Sequence, residues 1–317
     1  MGENVKITNS APAASLSWLI YLRNLAMMVR AAHWAKNLFL FIPLFFAGKL
    51  FSASELFHVF WGVIAFSLTA SGIYVLNDIK DKEKDQLHPV KQHRVIASGK
   101  ISMGVAIPMM LFCMTGGMLL GWVCGLKFLL VLALYLLLNI GYSFGLKNIP
   151  ILDIMVLAAG FVLRIKAGGV VARVGISQWL MIMVFLLALF LALGKRRDDI
   201  LVEAYSGNDV RPAISGYNLD FLNTSLAVVS AVMIMAYIMY TLSPEIIQHI
   251  GTYRLYYTGI FVFAGILRYL QLIYVNKDTR SPTRILYKDH FIQLCIVFWS
   301  LSFYCLIYLK DLSFSSL

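Results

Sequence analysis

One short stretch of the chain concentrates side chains that carry oxygen: Asn77, Asp78, Asp81 and Asp85. On an α-helix, which turns by about 100° per residue, these four side chains would lie within an arc of about 100°. Hard oxygen ligands suit Mg²⁺, which keeps several of its waters and commonly bridges to substrate phosphates. We therefore predict that all four residues are Mg²⁺ ligands and that the three aspartates are catalytic. Because lysines alternate with these acids, a solvated loop of mixed charge is the alternative.

Two groups of cations are candidates for binding the phosphates of a substrate. Lys91 and Arg94 follow the acidic stretch, and a second group, Lys195, Arg196 and Arg197, is directly followed by two aspartates. Such side chains neutralise phosphate oxygens, and Arg can do so with two parallel hydrogen bonds. We predict that all five bind substrate, since a site for two anionic substrates favours extra cations. Anchoring of the loops at the cytoplasmic surface is the alternative.

Two further charges, Arg164 and Lys166, lie inside an apolar segment of residues 151–172. A charge at the centre of a membrane helix costs about 2.5–3.5 kcal/mol on insertion scales. Each side chain should therefore face a partner or a water-filled cavity, and Lys166 could instead extend its charged end toward the interface. We predict that Arg164 binds substrate, with a purely structural role as an equal alternative.

The elements that position these residues are helices that cross a membrane. Of the 317 residues, 60% are hydrophobic and 14% are charged, whereas a soluble domain has about 45–50% apolar and about 25% charged residues. A helix that crosses the hydrocarbon core needs about 20 apolar residues. The predicted fold is all-α and polytopic, with about nine transmembrane helices at residues 37–53, 56–79, 102–123, 126–145, 151–172, 177–195, 221–243, 253–275 and 290–309.

The predicted domain organisation is simple. Residues 37–310 form a single transmembrane catalytic domain, and residues 1–36 form a tail that includes an amphipathic helix from Leu16 to Lys36 on the membrane surface.

Lysine and arginine are distributed unequally between the two sets of loops. Of the 27 residues of these types, 19 fall on one side, in the N-terminal segment and in or next to loops 80–101, 146–150, 196–220 and 276–289. The richer side is cytoplasmic by the positive-inside rule. We therefore predict a multi-pass protein of the inner (plasma) membrane whose active site faces the cytoplasm. The net charge of +11 is thus an orientation signal, and we expect no nucleic-acid partner because there is no soluble basic domain.

The pattern Asn-Asp-x-x-Asp-x-x-x-Asp of residues 77–85, at the cytoplasmic end of the second span, resembles the UbiA superfamily of intramembrane prenyltransferases. Residues 30–37, Arg-Ala-Ala-His-Trp-Ala-Lys-Asn, are similar to a segment of one branch, the decaprenyl-phosphate phosphoribosyltransferases. Further similarities to that branch lie at residues 142–147, 163–169, 177–179, 194–196 and 266–269.

The resemblance implies a helical bundle with a central cavity open to the cytoplasmic side. It implies a Mg²⁺-dependent transfer of a 5-phosphoribosyl group from phosphoribosyl diphosphate to a polyprenyl phosphate. The product would be a phosphoribosyl-phosphoryl polyprenol for cell-envelope polysaccharides. In this reading Lys36 is catalytic, and Asn37, Tyr142 and Lys147 bind substrate.

Two other functions remain open at this point. A prenyltransferase would move a prenyl group from its diphosphate to an aromatic or other small acceptor. The superfamily usually has a second Asp-rich motif after the sixth span for that reaction, and residues 195–199, Lys-Arg-Arg-Asp-Asp, do not have its Asp-x-x-x-Asp spacing. A transporter would line its path with the charges inside the membrane. The sequence also leaves a homo-oligomer open.

Overall fold

The computed structural model describes residues 13–88, 91–206, 216–275, 285 and 287–309. These residues form α-helices and short 3₁₀ segments, and no strand occurs among them. The chain divides into two compact units. Unit 1 comprises Met1–Leu38 and Ile64–Val123, and unit 2 comprises Phe39–Val63 and Cys124–Leu317.

The α-helices follow one another as α1 (Ala13–Met28), α2 (Ile42–Phe46), α3 (Ala53–Lys80), α4 (Lys82–Leu87), α5 (Met103–Val123), α6 (Leu126–Phe144), α7 (Leu152–Val171), α8 (Gln178–Ser206), α9 (Leu219–Leu242), α10 (Pro244–Ile250), α11 (Gly259–Tyr274) and α12 (His290–Tyr308). The 3₁₀ segments are Ala31–Phe41, Lys91–His93, Leu146–Asn148 and Arg254–Thr258.

Within the described residues, eight helices are long and apolar enough to cross a membrane: α3, α5, α6, α7, α8, α9, α11 with the 3₁₀ segment before it, and α12. They correspond to the second through ninth predicted spans. The prediction of an all-α, polytopic membrane fold is therefore confirmed.

The first predicted span and the helix before it have different bounds from those expected. Helix α1 ends at Met28 rather than Lys36, because Arg30 adopts a left-handed backbone conformation with φ of 51° that few non-glycine residues adopt. A 3₁₀ segment and α2 then run together from Ala31 to Phe46. This apolar segment has fewer residues than the roughly 20 that a crossing helix needs.

Helix α8 is longer than the sixth predicted span. It continues to Ser206, so the predicted loop that starts at residue 196 is helical in its first part, as far as Ser206. The reason is that three charged residues just beyond the apolar part, Arg196, Arg197 and Asp198, are buried within unit 2 rather than exposed to solvent. Four basic residues of the predicted loops 196–220 and 276–289 lie outside the described residues: Arg211, Lys277, Arg280 and Arg284.

Each unit has its own apolar core. In unit 1, Met28 of α1 packs with Val75 of α3 and with Ala106 of α5. Helices α3 and α5 approach so closely that a Cβ added at Gly117 would lie 2.8 Å from the backbone N of Thr69. In unit 2, a cluster that includes Leu222 of α9 and Ile273 of α11 joins the helices around α8.

Candidate active site

The acidic stretch bridges two helices rather than lying on one. Helix α3 ends at Lys80, Asp81 lies between the helices with φ −89° and ψ 4°, and α4 begins at Lys82. The backbone hydrogen bonds continue across this break, because the N–H of Asp85 donates to the carbonyl oxygen of Asp81 at 2.8 Å. The side chains of Asp78 and Asp85 therefore stay on one side, where both residues are buried.

Two arginines neutralise these buried carboxylates. Nη1 of Arg94 donates to Oδ1 of Asp78 at 3.0 Å and to Oδ2 of Asp85 at 2.7 Å. Nη2 of Arg30 donates to the same Oδ1 of Asp78 at 2.5 Å. We name these four side chains, Arg30, Asp78, Asp85 and Arg94, the carboxylate–arginine cluster. Burial of two carboxylates demands such partners, because an unpaired buried charge is costly.

The other two predicted ligands form a separate pair. Nδ2 of Asn77 donates to Oδ2 of Asp81 at 3.2 Å. Within the described residues, no three His, Cys, Asp or Glu side chains lie close enough together to hold a metal ion. The helix breaks at Asp81, yet Asp78 and Asp85 remain on one side, and the role of the four residues as Mg²⁺ ligands stays a prediction.

The cluster nevertheless has the chemistry of a Mg²⁺ site. Mg²⁺ is usually held by one or two carboxylates, with waters and substrate phosphates completing the shell. Asp78 and Asp85 supply two carboxylate groups. The cation already seated between their oxygens is the guanidinium of Arg94, which shows that this place accepts positive charge.

Residues 30–37 are fixed along helix α3, and this fixes Arg30. Nε1 of Trp34 donates to Oγ of Ser71 at 3.0 Å, and Nδ2 of Asn37 donates to Oγ of Ser67 at 2.9 Å. Asn37 is buried by this contact, so in this structure it holds the segment against α3. Its predicted role in substrate binding stays a prediction.

Arg30 is the member of the cluster that the sequence analysis missed. Its guanidinium carbon lies 4.9 Å from the centre of the Tyr74 ring, and this cation–π contact adds to its ion pair with Asp78. The only sequence signal for Arg30 was its place at the start of the segment shared with one branch of the superfamily. Its partner is 48 residues away in the chain, so spacing alone did not connect them.

Two other predicted cations lie near the cluster in sequence. Lys36 is exposed and Lys91 is half-buried. The backbone N–H of Lys91 donates to Nδ1 of His88 at 3.3 Å, which shapes the turn that precedes Arg94. The roles of both side chains in catalysis and substrate binding stay predictions.

Unit 2 contains a second, more deeply buried group of charges at Arg196. Its Nε donates to Oδ2 of Asp153 at 2.5 Å and its Nη1 donates to Oδ2 of Asp199 at 2.8 Å. Asp153 also accepts a hydrogen bond of 2.6 Å from the hydroxyl of Tyr217. Arg196 is 1% exposed, so two of its donors serve protein carboxylates rather than an open surface.

Burial raises the pKa of Tyr217 to about 12, and the hydrogen bond to Asp153 adds to this increase. The hydroxyl of Tyr217 therefore keeps its proton at neutral pH and remains a donor to Asp153. Asp153 therefore accepts hydrogen bonds from both Tyr217 and Arg196.

The remaining predicted cations of unit 2 have different environments. Lys195 is exposed, and Lys147 and Tyr142 are half-buried. Nε of Arg197 donates to Oδ1 of Asn223 at 2.9 Å, and its guanidinium lies 5.2 Å from the Tyr274 ring centre. Their contacts with a substrate stay predictions.

Arg164, the buried charge inside α7, donates hydrogen bonds to groups of α6 and α7. Nη2 of Arg164 donates to the hydroxyl of Tyr135 at 2.9 Å and Nη1 donates to the carbonyl oxygen of Gly160 at 2.8 Å. Arg164 is buried while Lys166 is exposed. These contacts favour the structural role for Arg164, and its substrate role stays a prediction.

The comparison with known families now decides the class of protein. A sequence profile described as the UbiA prenyltransferase family matches residues 37–300. The chain belongs to the UbiA prenyltransferase family.

Two curated relatives of this UbiA-family protein carry the same name, decaprenyl-phosphate phosphoribosyltransferase. The relative from Corynebacterium glutamicum is 29% identical over 277 residues, covering 86% of this chain and 82% of the relative. The relative from Mycolicibacterium smegmatis is 28% identical over 312 residues, covering 94% of this chain and 95% of the relative. With the family match, these relatives make this UbiA-family protein a transferase. The transporter alternative is thereby set aside.

Solved structures agree with the fold of this UbiA-family protein. A UbiA homolog from Archaeoglobus fulgidus, bound to GPP and Mg²⁺, matches with a TM-score of 0.69 at 18% identity. The match covers 90% of this chain and 99% of that one. At this identity the likeness establishes the fold and leaves the substrate to other arguments.

Proposed function

We propose that this protein transfers the 5-phosphoribosyl group of phosphoribosyl diphosphate to a polyprenyl phosphate in a reaction that needs a divalent cation. The observation that carries the proposal is the likeness, along nearly the whole length, to two proteins named decaprenyl-phosphate phosphoribosyltransferase. The product would be a phosphoribosyl-phosphoryl polyprenol, suited to the synthesis of cell-envelope polysaccharides.

The carboxylate–arginine cluster is the proposed site for the donor diphosphate. Asp78 and Asp85 would hold Mg²⁺, whose charge stabilises the leaving diphosphate when it is bound. Arg94 lies against both carboxylates and Arg30 lies against that of Asp78, and guanidinium groups suit phosphate oxygens. Metal-bridged phosphates and neighbouring arginines are a common combination where a diphosphate must leave.

The proposed reaction requires no general base from the protein. An oxygen of the acceptor phosphate attacks C1 of the ribose, the bond from C1 to the diphosphate oxygen breaks, and diphosphate leaves. The acceptor phosphate is already an anion, so no side chain has to remove a proton from it. We therefore propose that the protein works mainly by holding the two substrates in line and stabilising the leaving charge.

The membrane location is established, and the identity of the membrane and the orientation of the protein are proposed. The protein is a multi-pass membrane protein. We propose the inner membrane, with the cluster facing the cytoplasm, because phosphoribosyl diphosphate is a soluble, highly charged donor and because loop 80–101 has six basic residues.

The test uses carboxylate variants of the purified full-length protein. Asp78→Asn and Asp85→Asn each remove one charged oxygen ligand and should lower Mg²⁺-dependent diphosphate release from phosphoribosyl diphosphate plus polyprenyl phosphate. The expected loss is at least about 100-fold, as when a charge-stabilising group is removed from an active site. Size-exclusion chromatography checks that each variant remains monodisperse.

Glu83→Gln is the matched control, because Glu83 lies in the same stretch and is exposed. Its rate should stay within about twofold of wild type, as expected for a surface change. Wild-type rates in both aspartate variants would contradict the proposed donor site.

A further inference from the structure

The contacts of Arg94 raise a question that the proposed function does not answer. A single atom, Nη1 of Arg94, lies 3.0 Å from an oxygen of Asp78 and 2.7 Å from an oxygen of Asp85. A divalent cation held by these two carboxylates would lie about 2.0–2.1 Å from its oxygen ligands. The guanidinium and the cation therefore compete for the same space and for the same negative charge.

We infer that Arg94 is a displaceable counter-ion of the Asp78–Asp85 pair, which leaves when a divalent cation enters and is then free to bind the donor's diphosphate. The second step rests on the proposed function, because it assumes a donor with a diphosphate. The first step concerns only the protein and the metal. Arg30 has the different role of a positioning residue, which stays with Asp78 throughout.

The two arginines differ in how they are held. Arg30 contacts one carboxylate of the pair, and its guanidinium also lies 4.9 Å from the centre of the Tyr74 ring. It begins the segment that Trp34 fastens to Ser71 on α3. Displacing Arg30 would therefore break an ion pair and a cation–π contact together, and neither loss is needed to admit the metal.

Arg94 is held at its backbone but has a freer side chain. Its N–H donates to the carbonyl oxygen of Lys91 at 2.9 Å, and its own carbonyl oxygen accepts from the N–H of Ser98 at 2.8 Å. Its side chain is 29% exposed, against 21% for Arg30. The guanidinium can therefore move away from the carboxylates while the Cα of Arg94 stays in place.

This exchange has two consequences for binding. Without a metal, Arg94 keeps the buried carboxylates neutralised, so the cluster can exist before any ligand arrives. When the metal binds, the released guanidinium gains a partner only if a diphosphate is present. Metal and diphosphate should therefore each tighten the binding of the other, and this coupling must be reciprocal.

The decisive experiment measures Mn²⁺ binding, as a probe for Mg²⁺, to the purified full-length protein without any donor. Free Mn²⁺ is followed by electron paramagnetic resonance during the titration. Arg94→Gln should bind Mn²⁺ at least about tenfold more tightly than wild type, because the guanidinium that contacts both carboxylates no longer has to be displaced. A tenfold change corresponds to about 1.4 kcal/mol. Lys84→Gln removes the charge of an exposed lysine of α4, and it should change the affinity less than twofold.

Arg94→Lys is the second variant, in case Arg94→Gln does not fold. Lysine keeps the positive charge, but its ammonium group is a strongly hydrated point charge and lacks the planar guanidinium of arginine. We expect it to be a weaker counter-ion of the two carboxylates. Its Mn²⁺ affinity should lie between those of wild type and Arg94→Gln. Affinity in Arg94→Gln or Arg94→Lys that is no higher than wild type would overturn the inference.

Inorganic diphosphate then tests the second step. Inorganic diphosphate should tighten Mn²⁺ binding to wild type by a larger factor than in Arg94→Gln, because only wild type has a displaced guanidinium that can bind the diphosphate. An equal factor in both would overturn the transfer of Arg94 to the diphosphate. Neither titration contains phosphoribosyl diphosphate, so a failure of the proposed donor in a transfer assay leaves these outcomes unaffected.

Discussion

At the scale of single residues, the protein pairs buried acids with arginines, because a buried charge without a partner is costly. Arg196 is a clear case, since its side chain is 1% exposed and that of its partner Asp153 is 0% exposed. The sequence predicts Arg196 as a substrate contact, from its place in a basic run. The structure adds a partner 43 residues away, which points to a role in holding α7 and α8 together.

Asp153→Asn tests this role of Asp153. The change leaves Arg196 buried with only Asp199 as a charged partner, and breaking a buried ion pair by removing one partner typically costs about 3–5 kcal/mol. We expect a clear fall in the melting temperature of the detergent-purified protein, measured by differential scanning fluorimetry. Asp220→Asn, at an exposed position of α9, should have little effect. Equal melting temperatures for the two variants would contradict this assignment.

The hydrogen bond between Tyr217 and Asp153 should not itself make stability depend on pH near neutrality. The folded-state pKa of Tyr217 is raised to about 12, above the usual value of about 10 for a tyrosine. A group of this kind contributes fully below its unfolded pKa and loses its contribution as the pH rises through the folded value. Its contribution is therefore constant at neutral pH and falls only in strongly alkaline solution.

The sequence predicted part of the carboxylate–arginine cluster and could not predict the rest. Asp78, Asp85 and Arg94 lie within one stretch, so their spacing and charge identified them. The pairing of Arg30 with Asp78 was not predicted, because Arg30 has a left-handed backbone conformation that no local sequence pattern indicates. The break between α3 and α4 at Asp81 was likewise not predicted, because the prediction assumed one regular helix.

At the scale of helices, hydropathy located eight spans well because each is a long apolar run. The bounds differ at the first predicted span, where the chain forms a 3₁₀ segment followed by a short helix, Ala31–Phe46, rather than one long helix. Hydropathy also ended α8 too early, because a hydropathy reading treats charges as a helix end. In the structure those charged side chains are buried inside unit 2, and the helix continues to Ser206.

The loops between helices carry the prediction of orientation. In a background without the four cysteines, a Lys84→Cys variant should react with a membrane-impermeant thiol reagent only from the cytoplasmic side. The reason is the concentration of basic residues around α4, which resist transfer across the membrane. Lys127→Cys, at an exposed position in the first turn of α6, should react only from the opposite side. Labelling of Lys84→Cys from the outside alone would reverse the orientation.

At the scale of the whole molecule, the match over residues 37–300 establishes a UbiA-family transferase. The central claim that remains is the identity of the donor. Phosphoribosyl diphosphate has a 5-phosphate as well as a diphosphate, and so it presents two separated anionic centres. The chain has a net charge of +11, and Arg30 and Arg94 lie against the carboxylates of its Asp-rich motif. This excess of positive charge favours such a donor over a prenyl diphosphate.

The most direct test offers both kinds of donor to the same purified protein. One reaction contains ribose-labelled phosphoribosyl diphosphate with a polyprenyl phosphate, and the other contains a labelled prenyl diphosphate with a small aromatic acceptor. We predict that label enters the lipid fraction in the first reaction, that it requires Mg²⁺ and the acceptor, and that Asp85→Asn abolishes it. If ribose label never enters the lipid across polyprenyl phosphates of several lengths, while the prenyl donor alkylates the small acceptor, the proposed function is contradicted and the protein is a prenyltransferase.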